Sequence, residues 1–141
     1  MYQHEFHKRV RYAETDKMGY LYYGHYAKYY EIGRVEMLRS LGLTYREMED
    51  DLKVIMPVTS LQCRFVRPAY YDDLLCIRTT LRELPGKFIT FHVEIFNEQK
   101  KLVNGGTVRL CFVDAIHNKT VVAPALLINK LKPYFSDSEK A

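Results

Sequence analysis

Between residues 26 and 41 Tyr26, Tyr29, Tyr30, Met37 and Leu41 recur at helical spacing, with Gly33 in the middle of the series. Steps of three and four place them in one stripe on an α-helix, so this face is predicted to be buried. Lys28, Glu31, Val35 and Arg39 fall on the far side. A mid-helix glycine costs roughly 1 kcal/mol relative to alanine. Gly33 is therefore expected to mark the closest contact between this helix, predicted over residues 23–41, and a sheet.

A chain of 141 residues makes a single domain, residues 1–141, with room for a substantial core. The formal charge is +4, but the 21 lysines and arginines are scattered and form neither the arm nor the block of a nucleic-acid binder, so no nucleic-acid partner is expected. The tyrosines of the main helix sit at core spacing without interleaved basic residues, which argues against a base-stacking platform. A mildly basic surface does suit a phosphorylated small molecule. No run of 18 apolar residues is present and the first eleven residues are charged and aromatic, so no membrane span and a cytoplasmic location are expected. Cys63, Cys76 and Cys111 lie in separate apolar segments without ligand spacing and read as reduced core thiols. The spacings of His4, His7, His92 and His117 imply no metal.

Alternation of Phe6, Val10 and Tyr12 with His7, Arg9 and Arg11 predicts a first strand over residues 5–13. After the helix, Gly42 suits a left-handed C-cap, and Thr44 with Glu47 makes a capping-box spacing for a short second helix carrying Tyr45, Met48 and Leu52. A β meander of four strands is then expected, over residues 54–66, 74–84, 88–97 and 102–114. The first has Leu61, Cys63 and Phe65 in phase and stops at Arg67-Pro68; the second ends at Pro85-Gly86. The third alternates most clearly, with Ile89, Phe91, Val93 and Ile95 on one face and Thr90, His92 and Glu94 on a wet one. The fourth carries Val108, Leu110 and Phe112 past Gly105-Gly106, and a helix over residues 124–131 is entered at Pro124. Residues 133–141 read as a tail.

This order predicts an α+β fold, an antiparallel five-stranded sheet with one long helix on one face. One helix cannot cover both faces and both edges of such a sheet. A homodimer with a continuous sheet is expected, and a tetramer built from two dimers.

Asp16, in the loop Thr15-Asp16-Lys17-Met18-Gly19, precedes the start of the main helix. Unpaired backbone N–H groups and the positive end of the helix dipole converge there. Such a terminus can hold a developing oxyanion, and a carboxylate beside it can deprotonate water or attack a carbonyl. The same residues also suit a plain cap or turn. No nucleophile-elbow motif or Gly-rich phosphate loop is present.

The run Arg11-Tyr12-Ala13-Glu14-Thr15-Asp16-Lys17-Met18-Gly19-Tyr20-Leu21-Tyr22-Tyr23-Gly24-His25-Tyr26, followed by Tyr29-Tyr30-Glu31-Ile32-Gly33-Arg34, resembles the signature of hotdog-fold acyl-CoA thioesterases of the 4-hydroxybenzoyl-CoA thioesterase and YbgC-like group. Phe65-Val66-Arg67-Pro68-Ala69, Asp72-Asp73-Leu74-Leu75 and Phe112-Val113-Asp114 resemble the same group in order and spacing. The resemblance implies a hotdog sheet wrapped around a central helix, an active-site Asp16, and a thioester carbonyl held by the backbone N–H of Tyr23 or Gly24, with Gly19 and Tyr22 at the substrate. Family members often carry histidine where this chain has Tyr23; here a histidine comes two residues later, at His25, and its part in the chemistry is open.

The first expectation is an acyl-CoA thioesterase with Asp16 as general base or nucleophile, needing no cofactor because coenzyme A belongs to the substrate. Lys87, Lys100, Lys101 and Lys119, all near turns, are candidates for the CoA phosphates. A non-catalytic hotdog module binding acyl-CoA or an acyl-carrier protein is the second expectation, and a hotdog dehydratase or isomerase the third.

Overall fold

A computed structural model describes residues 1–135. Strand β1 (Tyr2–Arg9) leads through a 3-10 turn (Tyr12–Glu14) and the Asp16 loop to a second 3-10 turn (Tyr23–His25) and the long helix α1 (Tyr26–Ser40). Helix α2 (Tyr45–Asp50) follows, then β2 (Val54–Ile55), β3 (Val58–Phe65), β4 (Leu74–Leu81), β5 (Phe88–Phe96), β6 (Leu102–Asp114), β7 (Lys119–Val121) and helix α3 (Ala125–Leu131).

Five long strands carry the antiparallel sheet in the order β1-β4-β5-β6-β3, and β2 and β7 extend it as short additional pairings on β6. The sheet wraps around α1, the arrangement that the hotdog resemblance implies. The predicted stripe is the buried face: Tyr26, Tyr29, Tyr30, Gly33 and Met37 all point into the core. Tyr26, Tyr29 and Tyr30 pack with Leu75, Ile77, Val93 and Ile95 at one end of the sheet, and Met37 and Leu38 with Leu81, Ile89 and Phe91 at the other. A Cβ on Gly33 would lie 2.8 Å from Cγ2 of Ile77, so only glycine lets α1 sit this close to β4. The Gly42 N–H closes α1 on the Arg39 carbonyl, and the Thr44 hydroxyl accepts the Glu47 N–H at the start of α2.

Several boundaries differ from the sequence expectation. Strand β1 stops at Arg9, because the Val10 N–H turns to the Asp73 carbonyl and the next residues coil into a 3-10 turn. The helix proper begins at Tyr26, behind the 3-10 turn, and Leu41 caps it. The expected strand over 54–66 is broken at Pro57, which has no N–H to give to a ladder and leaves β2 and β3 as two pieces. The four-strand meander is also corrected. Only β4, β5 and β6 run as neighbours, while β3 lies on the far side of β6, and β1 pairs with β4. Strand β4 ends at Leu81, and Pro124 caps α3 from outside.

Residues 132–134 form a 3-10 turn and Phe135 is buried in the core, so the packed part of the chain extends past 133; residues 136–141 of the expected tail lie outside the described residues. Among the described residues no helix is long and apolar enough to cross a membrane.

Candidate active site

The Asp16 loop is a small hairpin closed around its own carboxylate. Thr15 and Leu21 form an antiparallel bridge, the Asp16 N–H donates to the Tyr20 carbonyl at 2.9 Å, and the Gly19 N–H returns to the Asp16 carbonyl at 2.9 Å. Gly19 sits at φ +84°, a conformation that favours glycine and completes the turn. The carboxylate Oδ1 accepts the N–H groups of Met18 at 2.9 Å and Tyr20 at 3.1 Å. That fixes the side chain and leaves Oδ2 without a hydrogen-bond partner among the described residues. The loop is tied to the β3–β4 connection through the Leu21 N–H on the Ala69 carbonyl (2.7 Å) and the Tyr20–Tyr70 bridge.

The helix start lies beside it. Tyr22 is extended (φ −63°, ψ 132°), its N–H goes to the Glu14 carbonyl at 2.9 Å, and the His25 N–H closes on the Tyr22 carbonyl. The N–H groups of Tyr23 and Gly24 come first in the helical segment and have no acceptor among the described residues. The Tyr22 hydroxyl is pushed above the ordinary tyrosine value, first by a hydrogen bond with Tyr23 and also by the nearby negative charge of Asp16.

Asp16 and Tyr23 open on one cleft of about 310 Å³, walled by Met18, Tyr20, Leu21, Tyr26, Phe65, Val66, Arg67 and Pro68. The Phe65 ring meets Tyr26 edge-on at 5.4 Å and Tyr23 at 6.2 Å. A larger concavity of about 770 Å³ lies on the opposite face of the sheet, around Gln3, Thr80, His92 and Thr107. It has no helix start to hold an oxyanion, so the smaller cleft is the chemically equipped one.

Asp16 and Tyr23 are thus brought together. Gly19 shapes the loop from behind, while Gly24 lies under the Tyr22 ring, where an added Cβ would be 2.7 Å from Cε2. His25 packs edge-on against the Tyr22 ring (5.9 Å) and does not line the cleft. None of the four lysines lines it either. Lys100 and Lys101 stand in the β5–β6 turn at the same end of the sheet, whereas Lys87 and Lys119 flank the opposite end, beside Phe112 and Asp114 of β6. Arg67, which sequence reasoning left without a role, stands in the cleft wall with its guanidinium Nη1 on the Leu102 carbonyl at 2.7 Å.

Glu14 also departs from expectation. Two residues before Asp16, it reads in the sequence as part of an extended segment leading into the loop. It sits instead in a 3-10 turn, only 5% exposed. Oε1 accepts from Lys8 Nζ (3.0 Å), the Arg11 N–H (2.8 Å) and the Tyr29 hydroxyl (2.8 Å), and Oε2 accepts from Lys28 Nζ (2.5 Å). Burial pushes its pKa up, but the hydrogen bonds from Lys28, the Arg11 N–H, Tyr29 and Lys8 outweigh it and hold the carboxyl at about 2.

Comparison with known proteins places the chain among thioesterases. Residues 18–104 match the model of the thioesterase superfamily. The chain is 30% identical over 116 residues to an acyl-CoA thioesterase, YbgC, of Haemophilus influenzae, covering 82% of this chain and 85% of the relative. It is 29% identical over 124 residues to the acyl-CoA thioester hydrolase YbgC of Escherichia coli O6:H1, covering 88% and 92%. Among solved structures, a DHNA-CoA thioesterase from Staphylococcus aureus superposes with a TM-score of 0.79 at 28% identity over 99% of this chain and 88% of that one. The family model and these relatives match over most of the chain, and the sheet wrapped around one helix superposes on a solved thioesterase: this chain belongs to the thioesterase superfamily.

Proposed function

We propose that this protein is an acyl-CoA thioesterase that hydrolyses a thioester to a free carboxylic acid and coenzyme A, with Asp16 as the reacting carboxylate. The observation that carries the reading is that one cleft is lined by both Asp16, with a carboxylate oxygen that has no partner among the described residues, and Tyr23, whose N–H has no acceptor among them. As a base, Asp16 takes a proton from water. The hydroxide adds to the thioester carbon, and the carbonyl oxygen, now an anion, accepts the N–H of Tyr23, with Gly24 beside it. Collapse expels the CoA thiolate, which the proton on Asp16 neutralises. As a nucleophile, Asp16 forms an anhydride that water then opens. A single turnover in ¹⁸O-water separates the two routes: the base route puts the label in the product acid alone, and the nucleophile route can leave it in the Asp16 carboxylate.

The acyl group occupies the aromatic walls of the cleft, and Arg67, with Lys100 and Lys101 at the same end, faces the CoA phosphates. Nothing in this chemistry calls for a metal or a further cofactor. The working form is a dimer. Among the described residues strand β3 pairs only with β6, and Val58 (50%), Leu61 (44%) and Phe65 (55%) stay exposed along it. Pairing of two such edges covers these side chains and makes the sheet continuous. Two dimers then meet through the polar outer row Gln3, Thr80, His92, Thr107 and Gln62 to form a tetramer. A cytoplasmic location fits three unpaired, half-buried thiols.

The test is a hydrolysis screen over CoA thioesters of varied chain length and aromaticity, read by free thiol release. Turnover of one class is expected. Binding of thioesters without turnover of any would contradict the enzymatic reading and leave a binding module in its place.

A further inference from the structure

Glu14 does not touch the cleft, yet it bonds β1, the turn before the Asp16 loop and the start of α1. Its carboxylate reaches Lys8 on β1, the Arg11 N–H in the turn before the loop, and Lys28 and Tyr29 in the first turn of α1. Its backbone carbonyl receives the Tyr22 N–H, one residue before the oxyanion donor Tyr23. Asp16 follows two residues later. The two groups whose separation decides whether water can be activated against a held carbonyl are therefore both tied to Glu14, Asp16 two residues along the same chain and Tyr23 through the Tyr22 N–H on the Glu14 carbonyl and the Lys28 and Tyr29 bonds to its carboxylate. We infer that Glu14 is a positioning residue for hydrolysis, which sets the placement of the Asp16 carboxylate relative to the Tyr23 N–H by clamping the loop to the start of α1. The inference rests on Asp16 being the reacting carboxylate.

The physical case is one of geometry and charge together. Near a reacting centre a misplacement of about 1 Å can cost roughly 10²-fold in rate. Glutamine at this position still accepts from Arg11 and Tyr29, but it has no charge for the two lysines, and its amide –NH₂, itself a donor, faces another donor where Oε2 faced Lys28. The clamp should loosen on the α1 side without emptying the core. Held at about 2, the native carboxyl stays ionised at every pH at which the enzyme would work.

Steady-state and single-turnover kinetics on the full chain compare Glu14→Gln, Asp16→Asn and the double variant with wild type, using the CoA thioester that wild type hydrolyses fastest. Glu14→Gln is expected to lower kcat by roughly 10- to 100-fold, with KM within about twofold, in protein whose circular dichroism is that of wild type. A merely structural residue would reduce the folded fraction and leave kcat per folded molecule unchanged. In the Asp16→Asn background the same change should add less than about threefold, because the carboxylate it places no longer takes a proton. A kcat within about twofold of wild type, a loss carried by KM, or losses that multiply in the double variant would each overturn the inference.

Where Glu14→Gln does not fold, Lys28→Gln loosens the same clamp from its half-exposed side. A smaller fall in kcat with KM unchanged supports the inference there, and an unchanged kcat overturns it. If Asp16→Asn keeps wild-type turnover, the Asp16 reading fails and the role of Glu14 through it fails too. If Asp16→Asn is inactive and Glu14→Gln fully active, only the positioning role fails.

Discussion

A Cβ built on Gly33 would lie 2.5 Å from Oγ1 of Thr79, a fully buried side chain on β4. The helix and the sheet meet at this point with no room for a methyl group. Gly33→Leu should therefore force α1 off the sheet and destabilise the fold by roughly 1–3 kcal/mol, more than offsetting the roughly 1 kcal/mol of helix propensity gained on removing glycine. Thermal melting checks this, and an unchanged Tm would mean that α1 is not held by this contact.

The exposed side chains of β3 predict assembly. Multi-angle light scattering at micromolar concentration should give twice the 16.7 kDa chain mass or a multiple of it. Leu61→Arg, which places a charge on the exposed edge, should shift the population to the single-chain mass. A monomeric wild type would contradict the continuous-sheet dimer.

Glu14 makes stability depend on acid. Its pKa is lowered in the folded chain from 4.5 to about 2, so its contribution is fully present above about pH 4.5 and is lost as pH falls towards 2. The bound is on the order of 3 kcal/mol, reduced by the half-exposed position of Lys28. Urea unfolding of wild type and Glu14→Gln should thus show a gap near pH 6 that closes on approach to pH 2. A gap that stays constant with pH would place the Glu14 effect outside its charge.

What could be read in the sequence was whatever is written at short range. The stripe from Tyr26 to Met37, the alternation from Ile89 to Ile95 and the Thr44 cap depend on neighbours three or four residues away at most, and each is found in the fold. The strand order was not legible in the same way. Leu61 and Phe65 alternate as a buried strand should, but whether β3 lies against β4 or beyond β6 depends on partners such as Val108 and Asn104, some forty residues downstream. Asp16 stood out because its loop and the helix start are contiguous and lie in the run that resembles the family signature. Glu14 did not, since Lys8, Lys28 and Tyr29 reach it from β1 and α1 and nothing in its immediate surroundings announces them. The aromatic wall supplied by Phe65 was hidden for the same reason, being brought to Tyr23 and Tyr26 only by the closing of the sheet.

The central claim is that the Asp16 carboxylate carries the chemical step, and the direct measurement is the turnover of Asp16→Asn against wild type on the best CoA thioester. Asparagine keeps the size of the side chain and an oxygen to accept the Met18 and Tyr20 N–H groups, so the loop, the fold and ground-state binding should survive. The basic oxygen is gone. The result expected is a fall in kcat of roughly 10²–10⁴-fold with little change in the affinity for the thioester. Hydrolysis by Asp16→Asn at close to the wild-type rate would contradict it.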